Sequence, residues 1–237
     1  MNKLSVFLLL LINSGIFNFI EAQSNNDVSK QIWIDVNPSY IGYPGLELFG
    51  DAGVRWEIEN DGWMRIVLRP SVRIPIGKQF FFAAGLGNFF TINKIISNRW
   101  EIRPFQGVSF TWPQGRIPLR HYVRLEERFD FNTTTWNSVN SIRGRYQLTI
   151  SHRWAAAQPE RYWQASAMGE AFYTFVGEQG QFQEQVRVTL GLDRSFRYDL
   201  HFRVEITWQQ EKLFFDSKES VSDIYFRFRY TYKWGNK

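Results

Sequence analysis

Apolar and polar side chains alternate with a period of two over most of the chain. The stretch DIYFRFRYTYKW, Asp223 to Trp234, carries Ile224 and five aromatic residues at its even positions and mostly charged or polar residues at its odd ones. A period of two places alternate side chains on opposite faces of a β-strand, whereas a helix would repeat every 3.6 residues. Turn-rich pieces such as GYPG (42–45) and ENDG (59–62) separate these segments. The sequence therefore predicts an all-β chain.

Three features favour a barrel that crosses a membrane over a soluble sandwich. The polar faces are rich in Arg interleaved with Asp and Glu, which suits an enclosed wet lumen. Aromatic side chains end the apolar faces, where a barrel would meet the headgroup level; they are Tyr40, Trp56, Trp100, Trp112, Phe131, Trp154 and Trp234. The last strand can close on the first, which removes unpaired edges. We expect an antiparallel transmembrane β-barrel with short turns and a polar, Arg-rich lumen.

The number of strands follows from counting the alternating segments. We count about eleven alternating segments, but a bacterial single-chain barrel normally has an even number, so a range of about ten to twelve with a preference for twelve follows. A strand could be missed or wrongly divided within Phe80–Ile92 or within EKLFF (211–215).

The N-terminal residues predict export. Lys3 precedes an apolar run from Val6 to Phe19, and cleavage after Ala22 would leave residues 1–22 as a signal peptide and 23–237 as one barrel domain. We expect the outer membrane of a Gram-negative bacterium, with outer-membrane lipid and the barrel-assembly machinery as partners. The chain contains no Cys, so disulfides are excluded. The sequence does not specify an oligomeric state.

Charge adds a candidate site. The net charge is only +5, which argues against nucleic-acid binding, yet 20 of the 28 basic residues are Arg. Strand parity directs many of them into the lumen, where they would form a porin-like, narrow, anion-favouring passage or a structural ladder. The candidate lumen residues are Arg65, Arg69, Arg73, Arg103, Arg120, Arg124, Glu126, Arg128, Asp130, Arg143, Arg145, Glu170, Arg187, Arg203, Glu205, Arg227 and Arg229.

The turn NTTTW predicts a register for its hairpin. If the strands pair about a centre between Trp136 and its successor, Asp130 faces Arg143 and Arg120 faces Arg153. The same register makes His121 and His152 neighbours on the outward, lipid-facing side. No Ser lies beside them on that face, so no catalytic set is predicted, and no cofactor or metal is expected. Two alternatives stay open: an outer-membrane enzyme acting on lipid or lipopolysaccharide, and a periplasmic soluble binding barrel.

Several motifs carry a family resemblance. LELFGDAGVR (46–55), RPSVR (69–73), RWEIRPFQG (99–107), RLEERFDFNT (124–133) and QFQEQVRVTLGLDRSF (181–196) resemble the bacterial family called domain of unknown function 2490. The resemblance implies an outer-membrane β-barrel of the kind found in Bacteroidota-type bacteria. It brings no established activity and no assigned catalytic residues.

Overall fold

The strands follow one another along the chain with short connections. The computed structural model describes residues 28–43, 45–58, 62–112, 119–154, 160–177, 184–212 and 220–235, so the predicted signal peptide at 1–22 lies outside the described residues. Within these ranges the chain forms eleven strands: β1 (Val28–Tyr43), β2 (Leu46–Glu57), β3 (Met64–Pro75), β4 (Phe80–Ile92), β5 (Arg99–Thr111), β6 (Leu119–Asn132), β7 (Ser138–Trp154), β8 (Trp163–Val176), β9 (Glu184–Arg197), β10 (Leu200–Lys212) and β11 (Ser220–Gly235).

These strands form a closed barrel in chain order, and β1 pairs with β11. Each strand is antiparallel to the next one along the chain, whereas β1 and β11 run parallel, from the pair Val28 and Ser222 to the pair Ile41 and Gly235. The all-β barrel is confirmed, but the expectation of an even strand number is wrong. Directions alternate around the ring, so an odd number brings the first and last strands together in the same direction.

In the described residues, neither of the two segments suspected of hiding a further strand contains an additional one. Phe80–Ile92 is the single strand β4, and Glu211 and Lys212 end β10. The rest of EKLFF lies outside the described ranges. Because β1 and β11 run parallel, the first strand begins at one end of the barrel and the last strand finishes at the other. We call the end of the barrel at which Val28 lies the N end, and the end at which Gly235 lies the C end.

The outward face is apolar on every strand, as the period of two predicts. On β9, Val186, Val188, Leu190 and Leu192 are each about half exposed, while the inward Gln185, Thr189 and Asp193 are buried. Aromatic rings stand at the strand ends on this outward face: Trp100 contacts Phe131, and Tyr40 contacts Trp234 across the seam. A soluble sheet protein has the opposite arrangement, with apolar side chains inside.

The β6–β7 hairpin corrects the predicted register. The side-chain Oδ1 of Asn132 accepts hydrogen bonds from the backbone N–H groups of Thr134 and Thr135, at 2.9 and 3.1 Å, and the Asn132 backbone N–H donates to the Asn137 carbonyl. These bonds close the turn early. Asp130 therefore faces Val139 and not Arg143, a difference of four residues, and Glu126 takes the place opposite Arg143.

Candidate functional site

The inward side chains surround a cavity of about 1060 Å³. Its lining extends from Glu57 and Asp223 near the N end to Glu47 and Lys233 near the C end. Among the described residues, 16 basic and 10 acidic side chains line it, an excess of six positive charges. The carboxylates of Asp35 and Glu126 lie behind this lining, fully buried among arginines, and reduce the excess to four.

The charged residues that the sequence assigns to the lumen all project inward. Only Glu126 lies behind the lining of the cavity, since its side chain is fully buried. The lining residues among them are Arg65, Arg69, Arg73, Arg103, Arg120, Arg124, Arg128, Asp130, Arg143, Arg145, Glu170, Arg187, Arg203, Glu205, Arg227 and Arg229. Alternation along a strand fixes the face on which each side chain lies, which is why sequence parity could place them.

The ion pairs of the lumen run along its wall. Arg69 Nε lies 2.7 Å from Asp51 Oδ1 and joins β3 to β2, and Arg99 Nη2 lies 2.6 Å from Asp130 Oδ2 and joins β5 to β6. Every other lumen ion pair within the described residues likewise joins groups on one strand or on two neighbouring strands. No described pair reaches across the lumen, so these contacts link neighbouring strands of the wall.

Glu126 is a fully buried acid of this wall that three arginines contact. Arg143 Nη2 lies 2.6 Å from its Oε2, Arg103 Nη1 lies 3.6 Å from the same oxygen, and Arg124 pairs with its Oε1. Three cations thus share one fully buried carboxylate. A buried carboxylate costs much desolvation free energy unless cations and hydrogen bonds surround it, and this arrangement provides both.

Aromatic rings support several of these arginines, and the prediction of a polar, Arg-rich lumen did not include them. Trp33 and Tyr225 stack across the seam with their centroids 3.8 Å apart, and the Arg55 guanidinium lies 3.9 Å above the Trp33 ring. Arg143 and Arg187 each lie 4.7 Å from the Phe172 ring. A guanidinium over an aromatic face is stabilised by the ring quadrupole and hides apolar surface from the lumen water.

The sequence places these aromatic residues at inward positions, but on five different strands. No strand carries more than one of the buried inward aromatic residues, and the other residues on that face are mostly polar. The alternation within any one strand therefore predicts a polar inward face. Trp33, Phe89, Phe105, Phe172 and Tyr225 are the buried members. Only the closed ring of strands brings them beside their arginines.

The two outward histidines do not form a pair. His121 faces Leu148, whereas His152 faces Ala165 on β8. One His121 ring nitrogen lies 2.8 Å from the Tyr146 hydroxyl, the other lies 3.0 Å from the Trp112 carbonyl oxygen, and its ring stacks on Phe110. Both nitrogens are occupied, so His121 acts as a structural aromatic residue.

Among the described residues, no group of three or more His, Cys, Asp or Glu side chains is placed to hold a metal ion. The same ranges hold no helix that is long and apolar enough to cross a membrane.

Comparison with known proteins adds a family. The profile of the family described as "Protein of unknown function (DUF2490)" matches residues 30–221, a range that begins in β1 and ends in β11. None of the curated proteins with which the chain was compared matches it.

Proposed function

Because the chain belongs to this family, whose description assigns no activity, we propose a function from the lumen itself. The protein is an outer-membrane β-barrel, and its lumen is a narrow passage that favours anions. The observation that carries the passage is the direction of the ion pairs, which follow the wall and leave a cavity between the two ends of the barrel.

The membrane location is supported by the inside-out distribution of polarity. Apolar side chains such as Leu68, Leu190 and Phe175 are half exposed or more on the outside. Soluble monomers rarely expose apolar patches larger than a few hundred Å². In a bilayer this face would contact outer-membrane lipid, and closure leaves no strand edge unpaired in the hydrocarbon. The signal peptide and the barrel-assembly machinery would bring the chain there.

The preference for anions follows from the excess of positive charge on the lumen lining. Arg keeps its charge at any physiological pH, so this excess persists under all conditions of growth. Within a lumen whose walls have a low dielectric constant, fixed charges of one sign concentrate mobile ions of the other sign. Chloride and small organic anions would therefore enter more readily than potassium.

Membrane fractionation tests the location. We expect the protein in the outer-membrane fraction, and its folded form should migrate differently on a gel before and after boiling, as closed barrels do. Recovery in the soluble fraction without such a shift would support the soluble binding barrel.

Planar bilayers test the passage. Under a tenfold KCl gradient, the reversal potential of the purified protein should move toward the chloride equilibrium potential. Boiled protein serves as the control for detergent leaks. A folded, membrane-inserted protein without conductance would show that the lumen is closed and that the arginine network is purely structural.

A further inference from the structure

Three inward arginines stand around the lumen near the C end. Arg73 is close to the end of β3, and Arg120 and Arg203 are close to the beginnings of β6 and β10, which all lie at the C end. Three, four and four strand steps separate β3, β6 and β10 around the closed ring. The three guanidinium groups therefore point inward from nearly equidistant parts of the wall.

These arginines are close enough to act on one another. The positive charges of Arg73 and Arg203 and the negative charge of Glu47 act on Arg120 across the lumen, and the Tyr122 side chain lies beside it on the same strand face. Because these positive charges repel one another, they raise the free energy of the lumen when no anion lies between them. An anion between them would relieve that repulsion.

The carboxylates nearby leave one of the three charges without a partner. Arg73 pairs with Glu47 through Nη2, and Arg203 pairs with Asp193 through Nε and with Glu205 through Nη1, at 3.6 Å. Arg120 is exposed to the cavity and makes no hydrogen bond or ion pair with any described residue. Arg120 thus keeps a guanidinium that faces the cavity and whose N–H groups have no acceptor among the described residues.

We propose that Arg73, Arg120 and Arg203 form a binding site for the phosphate group of a small solute. The inference rests on the proposed passage, since the lumen must admit that solute. A guanidinium presents parallel N–H donors that match two oxygens of a phosphate, whereas a halide offers a single acceptor atom to all three guanidinium groups. Three forks from three walls can bind a tetrahedral oxyanion from three sides.

Titration calorimetry of the purified barrel in detergent with inorganic phosphate tests the site without requiring conductance. R120Q should weaken binding roughly tenfold or more, because it removes charge-assisted hydrogen bonds. R120K keeps the charge but not the two parallel N–H donors, and its affinity for phosphate should lie between those of the wild type and R120Q. The heat-dependent gel shift verifies that each variant is folded, which we expect because Arg120 makes no hydrogen bond or ion pair with a described residue.

R65Q is the matched control. Arg65 also lines the lumen, but near the N end, where its Nε donates to Thr91 Oγ1 at 2.7 Å, and it forms no ion pair with a described residue. Loss of binding in R120Q but not in R65Q supports the site. Equal weakening in both variants would indicate a diffuse charge effect, and absence of binding to the wild type would overturn the site.

The conductance measurement separates this inference from the passage. Phosphate binding by a barrel that carries no current would reject the passage and retain the site. Anion-selective current in a wild-type barrel that binds no phosphate would reject the site and retain the passage.

Discussion

Arg227 on the last strand donates a hydrogen bond from its Nε to Asp35 Oδ2 on the first strand, across the parallel seam. Both side chains are almost completely removed from solvent. This pair links residues at the two extremes of the strand order, so it can form only when the barrel has closed. We therefore expect this ion pair to contribute more to the stability of the barrel than an ion pair within a hairpin does.

Replacing Asp35 by Asn should lower the free energy of unfolding by about 3 kcal/mol, because the buried Arg227 would lose its hydrogen-bonded carboxylate and keep only Glu205, 4.0 Å from its Nη1. D130N is the control, since Asp130 also pairs with an arginine of a neighbouring strand, but Arg99 is 44% exposed. An exposed pair contributes about 1 kcal/mol or less. Urea unfolding followed by tryptophan fluorescence measures both, and equal losses would contradict the importance of the seam.

Gly53 should be intolerant of a side chain. A Cβ at this position would collide with Asp35 Oδ1 and with the Ile34 carbonyl oxygen, whereas a Cβ at Gly169 would meet nothing within 4 Å. G53A should therefore cost about 1–3 kcal/mol through overpacking, and G169A should stay within about 0.5 kcal/mol of the wild type. The temperature at which the folded gel band disappears compares the two variants, and identical temperatures would refute this packing argument.

Glu126 should be essential for the wall between β5 and β7. E126Q keeps the shape of the side chain but removes the carboxylate that Arg124 and Arg143 contact, whereas Arg103 keeps Glu101 at 2.6 Å, so we expect a loss of about 3 kcal/mol or more. E47Q is the comparison, because Glu47 pairs with Arg73 alone and that side chain is 33% exposed. Urea unfolding of the two variants decides, and a smaller loss in E126Q than in E47Q would contradict the proposed hub.

His121 should have no catalytic role. Since both of its ring nitrogens are engaged by Tyr146 and Trp112, we expect background hydrolysis of phospholipid by the wild type, by H121A and by H152A alike. H121A should instead lower stability, because it removes the ring that stacks on Phe110. Lipid hydrolysis by the wild type that H121A abolishes would restore the enzyme alternative.

Strand faces could be predicted from sequence, and strand register could not. A period of two assigns each side chain to a face without any knowledge of its neighbours, which placed Arg120 and Arg229 inward and His121 outward. The register of β6 against β7 depends on where the turn closes. That position is set by the Asn132 side chain and its hydrogen bonds to Thr134 and Thr135, which the spacing of apolar residues does not encode.

The sequence predicts which residues form the candidate site, but it does not predict how they contact one another. The sequence identifies which arginines face the lumen, but whether carboxylates meet them along the wall or across it depends on the curvature of eleven strands. The stack of Arg55 on Trp33 has the same origin, because it joins β2 to β1 and continues to Tyr225 on β11. Sequence separation hides such contacts until the ring is closed.

The parallel seam also places the beginning of the first strand and the end of the last strand at opposite mouths of the barrel, whereas an even-stranded antiparallel barrel brings both to the same mouth. Val28 begins β1 at one mouth and Gly235 ends β11 at the other. A reporter attached just before the first strand and another just after the last would stand on opposite sides of any layer that surrounds the barrel. Protease protection of the two reporters in sealed vesicles would then give the orientation of the whole protein from its own backbone.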